Sequence, residues 1–369
     1  MTASVVALVV MLLFILSGFV AGLRATVMNS GRADNYIVLS RGVTEEGGSF
    51  ITHGQYEIIK SRPQIATTPE GQPLVSPEVI TGFNPDPVAP VTSDVMFTLL
   101  RGIYPIGYQV HRGMRLENGR WPSGGAAEMV VGRKLAARYP NLAVGSDFKF
   151  GPRTFKIVGV FSDEDSARES EMLTDLSVLT QEVHVANGFE VLHVVLKPGT
   201  HDDFAKSLTT DSRLRVDTMP EREFYAKQTG FVDQLRALGL VVALILAIGS
   251  VFGAMNTMYS AVARRTSEIG VLRVLGFSRF NVLASFVIES IVLALAGGVL
   301  GELLGVLVAY STGLSSQLMN VGEIIFRFRL TADAFVSGMI AALIIGALGG
   351  LLPAWRASRI GLVESLRSV

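Results

Sequence analysis

Residues 237–280 read ALGLVVALILAIGSVFGAMNTMYSAVARRTSEIGVLRVLGFSRF. The first 27 of them, Ala237 to Ala263, carry no charge and lie between Arg236 and Arg264. A bilayer core about 30 Å thick is crossed by about 20 apolar residues of helix, so this run is long enough to span a membrane. Immediately after it, Ile269, Leu272 and Leu275, with Val271, form an apolar side at helical spacing, and Arg264, Arg265, Glu268 and Arg273 supply the polar positions. This is the pattern of an interfacial amphipathic helix, ended by Gly276. Such a helix either rests on lipid headgroups or docks into a groove on a cytoplasmic partner, and its physics admits both.

Three further blocks repeat the long apolar pattern. Thr2 to Leu23 is uncharged over 22 residues and is followed by Arg24; Phe280 to Tyr310 holds only Glu289 and Glu302; Ala334 to Trp355 lies between Asp333 and Arg356. The first block has the position of a signal peptide, but it lacks a basic leader and its apolar run is longer than such a segment carries. Four spans are therefore expected, at residues 1–23, 237–263, 280–310 and 334–355. Arg264, Arg265, Arg273 and Arg279 crowd the loop between the second and third spans, and Arg356, Arg359 and Arg367 follow the fourth. Excess Lys and Arg mark cytoplasmic loops, so both termini are expected inside and residues 24–229 outside.

Composition narrows the function classes. The 369 residues are 49% hydrophobic and only 17% charged, with 32 basic against 32 acidic residues. A zero formal charge argues against a nucleic-acid partner, which needs excess positive charge to engage phosphates. With no cysteine, disulfide scaffolds, thiolate metal sites and cysteine nucleophiles are excluded. The sequence contains no Gly-x-x-x-x-Gly-Lys-Ser/Thr, Gly-x-Ser-x-Gly or His-Glu-x-x-His, so it offers no P-loop, hydrolase elbow or zincin helix.

Residues 24–229 are polar, of mixed charge and well punctuated, the composition of a folded α/β domain. Tyr36–Leu39 and Val191–Leu196 read as strands, and Phe148–Phe150 and Phe155–Val158 as a hairpin about Gly151-Pro152. His201–Leu208 reads as a helix, Leu214–Val216 as a brief strand, and Pro220 as opening a helix that runs from Glu221 into the second span. Prolines from Pro63 to Pro90 suggest loops and edge strands. The acidic run Asp163-Glu164-Asp165 is expected in a solvated loop, and Arg133, Lys134 and Arg138 on the exposed face of a short helix. The five histidines, His53, His111, His184, His193 and His201, show no metal-ligand spacing. No metal or cofactor is expected in this chain.

Within the third span, Glu289 is an intramembrane acid expected to face a partner helix or reach the cytoplasmic interface, and Glu302 is expected near the outer interface. Small residues recur four apart: Gly249 and Gly253; Gly297, Gly301 and Gly305; Gly338, Ala342, Gly346 and Gly350. Such stripes let helices pack backbone to backbone, inside a bundle or across a dimer.

The run Arg264 to Ser278 closely resembles the cytoplasmic loop of FtsX-like ABC transporter permeases. Phe286-Val287-Ile288-Glu289-Ser290 with Gly297-Gly298 is similar to the start of that family's third span, and Pro353 to Arg359 with Glu364 to Arg367 resemble its C-terminal signature. Gly119-Arg120-Trp121, Glu128 to Gly132 and Phe155 to Phe161 resemble the MacB-like periplasmic core. Gly361-Leu362 stands where family members often carry Asp-Pro. The family usually has a basic amphipathic stretch before the first span, so a missing leading helix or an upstream start is expected.

The resemblance implies a membrane protein of four transmembrane helices with a large α/β extracytoplasmic domain between the first and second. It divides the chain into span 1–23, outer domain 24–229 and permease domain 230–369. It makes residues 264–278 a coupling helix, with Arg264, Arg265, Glu268, Ile269, Gly270, Leu272, Arg273, Leu275, Gly276 and Phe277 contacting an ABC-type ATPase in trans, which binds the ATP and magnesium. A second copy of the chain and membrane lipids are the other implied partners, with a periplasmic adaptor and outer-membrane duct as optional ones, and the implied location is the inner membrane. Two functions fit: a permease that exports or extracts a substrate by a mechanical stroke of the outer domain, or a signalling subunit that activates an extracytoplasmic enzyme such as a cell-wall hydrolase. Macrolides, lipoproteins, lipids, peptides and glycolipids all remain open as substrates.

Overall fold

The computed structural model describes residues 2–85, 98–185, 187–228, 230–314, 317–321 and 323–359. The chain forms two compact units: Met1–Gly22 with Phe231–Gln317 and Arg327–Val369, and Leu23–Gly230 with Leu318–Phe326. The first unit is built from four long helices, α1 (Thr2–Met28), α8 (Gly230–Arg264), α10 (Arg279–Ser311) and α11 (Ala332–Ser358), each long and apolar enough to cross a membrane. Between α8 and α10 lies the short α9 (Thr266–Val274). Leu238, Leu244, Ile245, Phe252, Leu303 and Leu307 are all more than half exposed in the single chain. That is the normal condition of helices whose outer surface faces lipid rather than water.

Along α10, close approach takes the place of bulk. A Cβ on Gly297 would lie 2.6 Å from the Ala3 carbonyl oxygen of α1, and one on Gly301 would lie 2.4 Å from that of Ala7. Only glycine lets these two backbones touch.

The second unit is an α/β domain. Its strands are β1 (Asn35–Ser40), β2 (Ile51–Thr52), β3 (Val75–Phe83), β4 (Thr98–Ile103), β5 (Met114–Gly119), β6 (Glu128–Gly132), β7 (Asp147–Phe150), β8 (Arg153–Asp163), β9 (Met172–Asp175), β10 (Gly188–Phe189), β11 (Val191–Val195) and β12 (Val216–Pro220). Ten of these make one sheet in the order β12-β1-β11-β3-β4-β9-β6-β8-β5, with β7 hairpinned on β8. Its helices are α2 (His53–Lys60), α3 (Gly107–Val110), α4 (Arg133–Arg138), α5 (Leu176–Glu182), α6 (His201–Thr210) and α7 (Glu221–Gln228). A hairpin from the loop between the third and fourth spans, β13 (Leu318–Val321) and β14 (Ile324–Arg327), also contributes: Ile325 is fully buried in this domain's core and its amide donates to the Ser170 hydroxyl at 2.9 Å. Since that loop and residues 23–230 share one folded unit, they lie on one side of the membrane.

Several local readings meet their structure here. The β7–β8 hairpin turns about Gly151, at φ +59°, with Phe148 opposite Phe155. β3, in contrast, is no edge strand. It pairs with both β11 and β4, although it contains Pro77. At Pro77 the partner is β11 alone, and pairing with β4 starts at Glu78, so a residue without an N–H is tolerated there. The helix begins at Glu221 as expected, and Pro220 just before it is the last residue of β12. Continuity of α7 with α8 passes through residue 229, and the expected Pro87 and Pro90 loop and the Gly361–Arg367 motif also fall outside the described residues.

Candidate functional site

The residues singled out between the second and third spans form a compact turn. α9 ends in a Schellman arrangement: the Gly276 amide donates to Arg273 O at 3.3 Å and the Phe277 amide to Leu272 O at 3.1 Å. Gly276 sits at φ +97°, a left-handed conformation that favours glycine. The Ser278 hydroxyl then accepts the Asn281 amide at 3.1 Å and caps α10. Ile269 points inward, buried with Met258, Val262, Val282, Phe286, Ala354 and Ala357, and Gly270 is buried beside it. Outward, Val271, Leu272, Leu275 and Phe277 are exposed in company with Arg264, Arg265 and Glu268. Glu268, Leu272 and Phe277 line a groove of about 370 Å³ together with Asn281 and Ser285 of α10. Arg273 donates to Phe277 O at 3.0 Å, which steadies the turn.

Glu289 belongs to this region. Its carboxylate receives Arg265 Nη1 at 3.1 and 3.2 Å, so the intramembrane acid is paired with a cation from the turn. Glu302, expected near the outer interface, is 9% exposed, its Oε1 has no hydrogen-bond partner among the described residues, and Gly338 of α11 approaches it. The other stripe glycines also meet neighbours within the chain. Gly305 abuts Phe14, Gly346 abuts Ala294, and Gly350 abuts Ser290, whereas Gly249 and Gly253 of α8 face open space.

A second candidate site, which no sequence motif announced, lies in the outer unit. Strand register explains its existence. His193 on β11 is opposite Ser76 on β3, and Arg101 on β4 is opposite Ile80 on β3. Side chains alternate between the faces of a strand, so Ser76, Glu78 and Ile80 share a face with both His193 and Arg101. The opposite face carries Val75, Val79, Leu100, Leu192 and Val194, all in the apolar core. The second face thus carries a charged patch on β3, β4 and β11 beside the apolar cluster of Ile103, Val130, Phe161 and Leu173, and that patch is buried as well.

There Arg101, 2% exposed, grips Glu171 with Nε and Nη2 at 2.7 and 3.0 Å, and Nη1 lies 2.8 Å from both Glu78 Oε2 and Glu46 Oε2. Glu78 Oε1 also accepts the Ser76 hydroxyl at 2.7 Å and lies 2.6 Å from His111 Nε2. His193 Nδ1 is 2.6 Å from Glu221 Oε1 at the start of α7. Arg168 reaches the Tyr225 hydroxyl at 3.2 Å, and that hydroxyl donates to Glu46 at 3.1 Å. The rings of His111 and His193 meet edge to face at 4.7 Å. Burial opposes ionisation of Glu221, but His193 and Arg168 outweigh it and hold its carboxyl down at about 2. Burial also opposes a charge on His193, and Glu78, Glu221 and Glu46 overcome it and raise its pKa. For His111, burial and Arg168 win, and its pKa falls. Beside the cluster lies a cavity of about 550 Å³ whose lining includes Glu46, Arg101, Arg168, Glu171 and Tyr225.

Two neighbouring readings are corrected. Asp163 is not solvated: it is buried, accepts the Ser166 hydroxyl at 2.7 Å and faces Arg32 and Arg168 at 3.6 and 3.7 Å. Lys134 is not on an exposed face; it is 2% exposed and donates to the carbonyls of Asp165 and Ser166 at 2.8 and 3.1 Å. Its ammonium also lies 2.9 Å from Asp165 Oδ1, so carbonyls and a carboxylate together satisfy it there. His53, His184 and His201 are exposed, while His111 and His193 are buried.

A bundle of spanning helices with an α/β domain inserted after the first defines a multi-pass membrane protein with a large domain on one side. Comparison with known families agrees at both ends of the chain. Residues 1–210 match the MacB-like periplasmic core domain and residues 240–362 match the FtsX-like permease C-terminal domain. The chain belongs to this MacB-like, FtsX-like ABC transporter permease family. Among curated proteins it is 26% identical over 256 residues to the macrolide export ATP-binding/permease protein MacB of Nitrobacter winogradskyi, covering 66% of this chain and 38% of that one. It is 24% identical over 266 residues to an uncharacterized ABC transporter permease of Methanocaldococcus jannaschii, covering 69% and 66%. The match thus spans well under half of the MacB relative's length. Among solved structures, the periplasmic region of MacB from Actinobacillus actinomycetemcomitans aligns over 55% of this chain and 95% of its own, with 13% identity and a TM-score of 0.39.

Proposed function

We propose that this chain is the permease subunit of an ABC transporter complex, and that it couples ATP hydrolysis on an ATPase subunit to movement of its outer domain, exporting or extracting a substrate. The ATPase binds the ATP and magnesium; the chain itself is non-catalytic. The observation that carries this reading is the α9 turn. Its Schellman end and N-capped successor fix a short helix rigidly between two spans, and that helix presents Leu272, Leu275 and Phe277 among Arg264, Arg265, Glu268 and Arg273. An exposed apolar strip rimmed by charge is what a partner's groove takes up. In this reading the turn and both termini are cytoplasmic, as the arginines of the loop favour. The chain lies in the inner membrane of the cell, with residues 24–229 extracytoplasmic. The permease works as a homodimer, for which the unpartnered Gly249–Gly253 face of α8 is the available small-residue surface.

The test is reconstitution of the chain with its ATPase in lipid nanodiscs. Leu275→Asp and Phe277→Asp lie on the exposed face and leave the Ile269 core untouched. They are expected to cut ATPase co-purification at least tenfold while the chain keeps its thermal transition. Full co-purification and full transmembrane stimulation of ATP hydrolysis with both variants would refute the coupling role.

A further inference from the structure

We propose that Glu78, His111 and His193 form a divalent-cation site of zinc type in the outer unit. One ligand atom from each of these three buried residues falls within 4.8 Å of the other two. Two imidazoles and a carboxylate are a donor set that suits zinc, with a fourth position left for water.

The surroundings are built as a ligand site requires. Glu221 engages His193 Nδ1 at 2.6 Å, and the other ring nitrogen, Nε2, is buried without a hydrogen-bond partner, 3.6 Å from Glu78 Oε2. A carboxylate on one imidazole nitrogen fixes the ring and leaves the opposite nitrogen free to ligate. Glu78 is held in turn by Ser76 and Arg101, so its oxygens are positioned from outside the site. His193 and Glu78 stand on neighbouring strands and His111 directly follows α3, all on rigid backbone. His111 Nε2 lies 2.6 Å from Glu78 Oε1, a separation spanned by a shared proton, which a cation would replace.

Charge points the same way. Four buried carboxylates, Glu46, Glu78, Glu171 and Glu221, surround two buried guanidiniums, Arg101 and Arg168. The carboxylates thus outnumber the guanidiniums around the two imidazoles, an environment that favours a cation. Glu46 and Arg101 line the 550 Å³ cavity and also reach the cluster, Glu46 Oε1 lying 3.9 Å from His193 Nε2. A cation there would tie β3 and β11 to α3 and, through Glu221, to α7, the element that precedes the second span in the chain.

The test uses the full-length chain in lipid nanodiscs, stripped with a chelator and dialysed against micromolar zinc, with metal counted by mass spectrometry. About one zinc per chain is expected, both in the wild type and in His201→Gln, whose histidine is exposed. His193→Gln is expected to bind at least tenfold more weakly, and Glu221→Gln, which keeps a hydrogen-bonding group beside His193, roughly 10- to 100-fold more weakly. Zinc should raise the wild-type thermal transition and not that of His193→Gln. Background zinc in the wild type overturns the proposal and leaves the two histidines as proton carriers. Zinc retained in full by folded His193→Gln and Glu221→Gln overturns the assignment. No ATPase is needed for the measurement, so its failure is distinct from failure of the coupling role.

Discussion

Glu78 and Glu302 show how differently the two units manage their interiors. Glu78 is wholly buried in the outer unit and is surrounded by Ser76, Arg101, His111 and His193. Glu302 is nearly as deep in the helical unit, yet its Oε1 faces Gly338 with no hydrogen-bond partner among the described residues. The outer unit buries charge and satisfies it with directional bonds. The helical unit keeps charge sparse and relies on close contact of small residues, because lipid-facing helices gain little from burying one apolar side chain against another.

The largest effect is expected where that contrast is cut at its charged end. Arg101 joins Glu46, Glu78 and Glu171, and Arg101→Met would leave three carboxylates buried with little to offset them. Breaking a buried pair by removing one partner costs roughly 3–5 kcal/mol, which for a domain of this size lowers the transition by roughly 10 °C. Calorimetry of the detergent-solubilised chain checks this; a shift under about 2 °C would mean that water already screens the cluster. A smaller loss is expected at the apolar end. Gly301→Leu drives a side chain into the Ala7 carbonyl 2.4 Å away and should cost about 1–3 kcal/mol or more of helix packing. Gly249→Leu meets nothing within 4 Å and should leave the isolated chain unchanged. Equal losses at the two positions would contradict the packing described for α10. If Gly249→Leu alone converts a dimer to a monomer in nanodiscs, the open face of α8 is the dimer surface.

The same contrast decided what the sequence disclosed. Four spans are legible because a membrane helix must be continuously apolar for about 20 residues, and no distant partner alters that rule. The α9 turn is legible because its glycine, cap and apolar spacing are local. The buried cluster is not. Ser76 and Glu78 on β3, Arg101 on β4 and His193 on β11 alternate with apolar residues as a solvent-facing edge would, and nothing within any one strand reveals that α7 and the loop holding Glu46 cover that face. The nearest signal was the pair Glu78 and Arg101, charged residues inside strands otherwise apolar, and it becomes meaningful only when register places them side by side. Lys134 and Asp163 were read as exposed for a similar reason: Lys134 meets Asp165 and Ser166, about 30 residues on, and Asp163 meets Arg32, far earlier in the chain. Pro77 misled in the opposite sense, because a one-sided stretch of a central strand tolerates proline as an edge does.

The smallest effect is expected from an ion pair at the surface of the same domain, and it sharpens the comparison by showing what charge contributes without burial. Arg120 forks onto both oxygens of Glu128, whose Oε2 also accepts the Ser123 amide at 3.0 Å. The guanidinium bond, followed by the Ser123 amide, overcomes the mild desolvation and holds the carboxyl at about 2, below its ordinary value of 4.5. A carboxyl with a depressed folded-state pKa stabilises the fold fully above its unfolded pKa, and that contribution is lost as pH falls from about 4.5 to about 2. Solvent screens the pair, because Arg120 is half exposed, so the contribution is small. Between pH 7 and pH 5 the transition of Glu128→Gln should therefore stay below that of the wild type by at most a few degrees, and the gap should close as pH approaches 2. In 1 M salt, where charges are screened within about 3 Å, the gap at pH 7 should narrow, whereas the Arg101→Met deficit, at a buried site, should persist. A Glu128→Gln gap that exceeds the Arg101→Met deficit, or that survives high salt unchanged, would break the distinction between buried and exposed charge on which the outer unit's architecture depends.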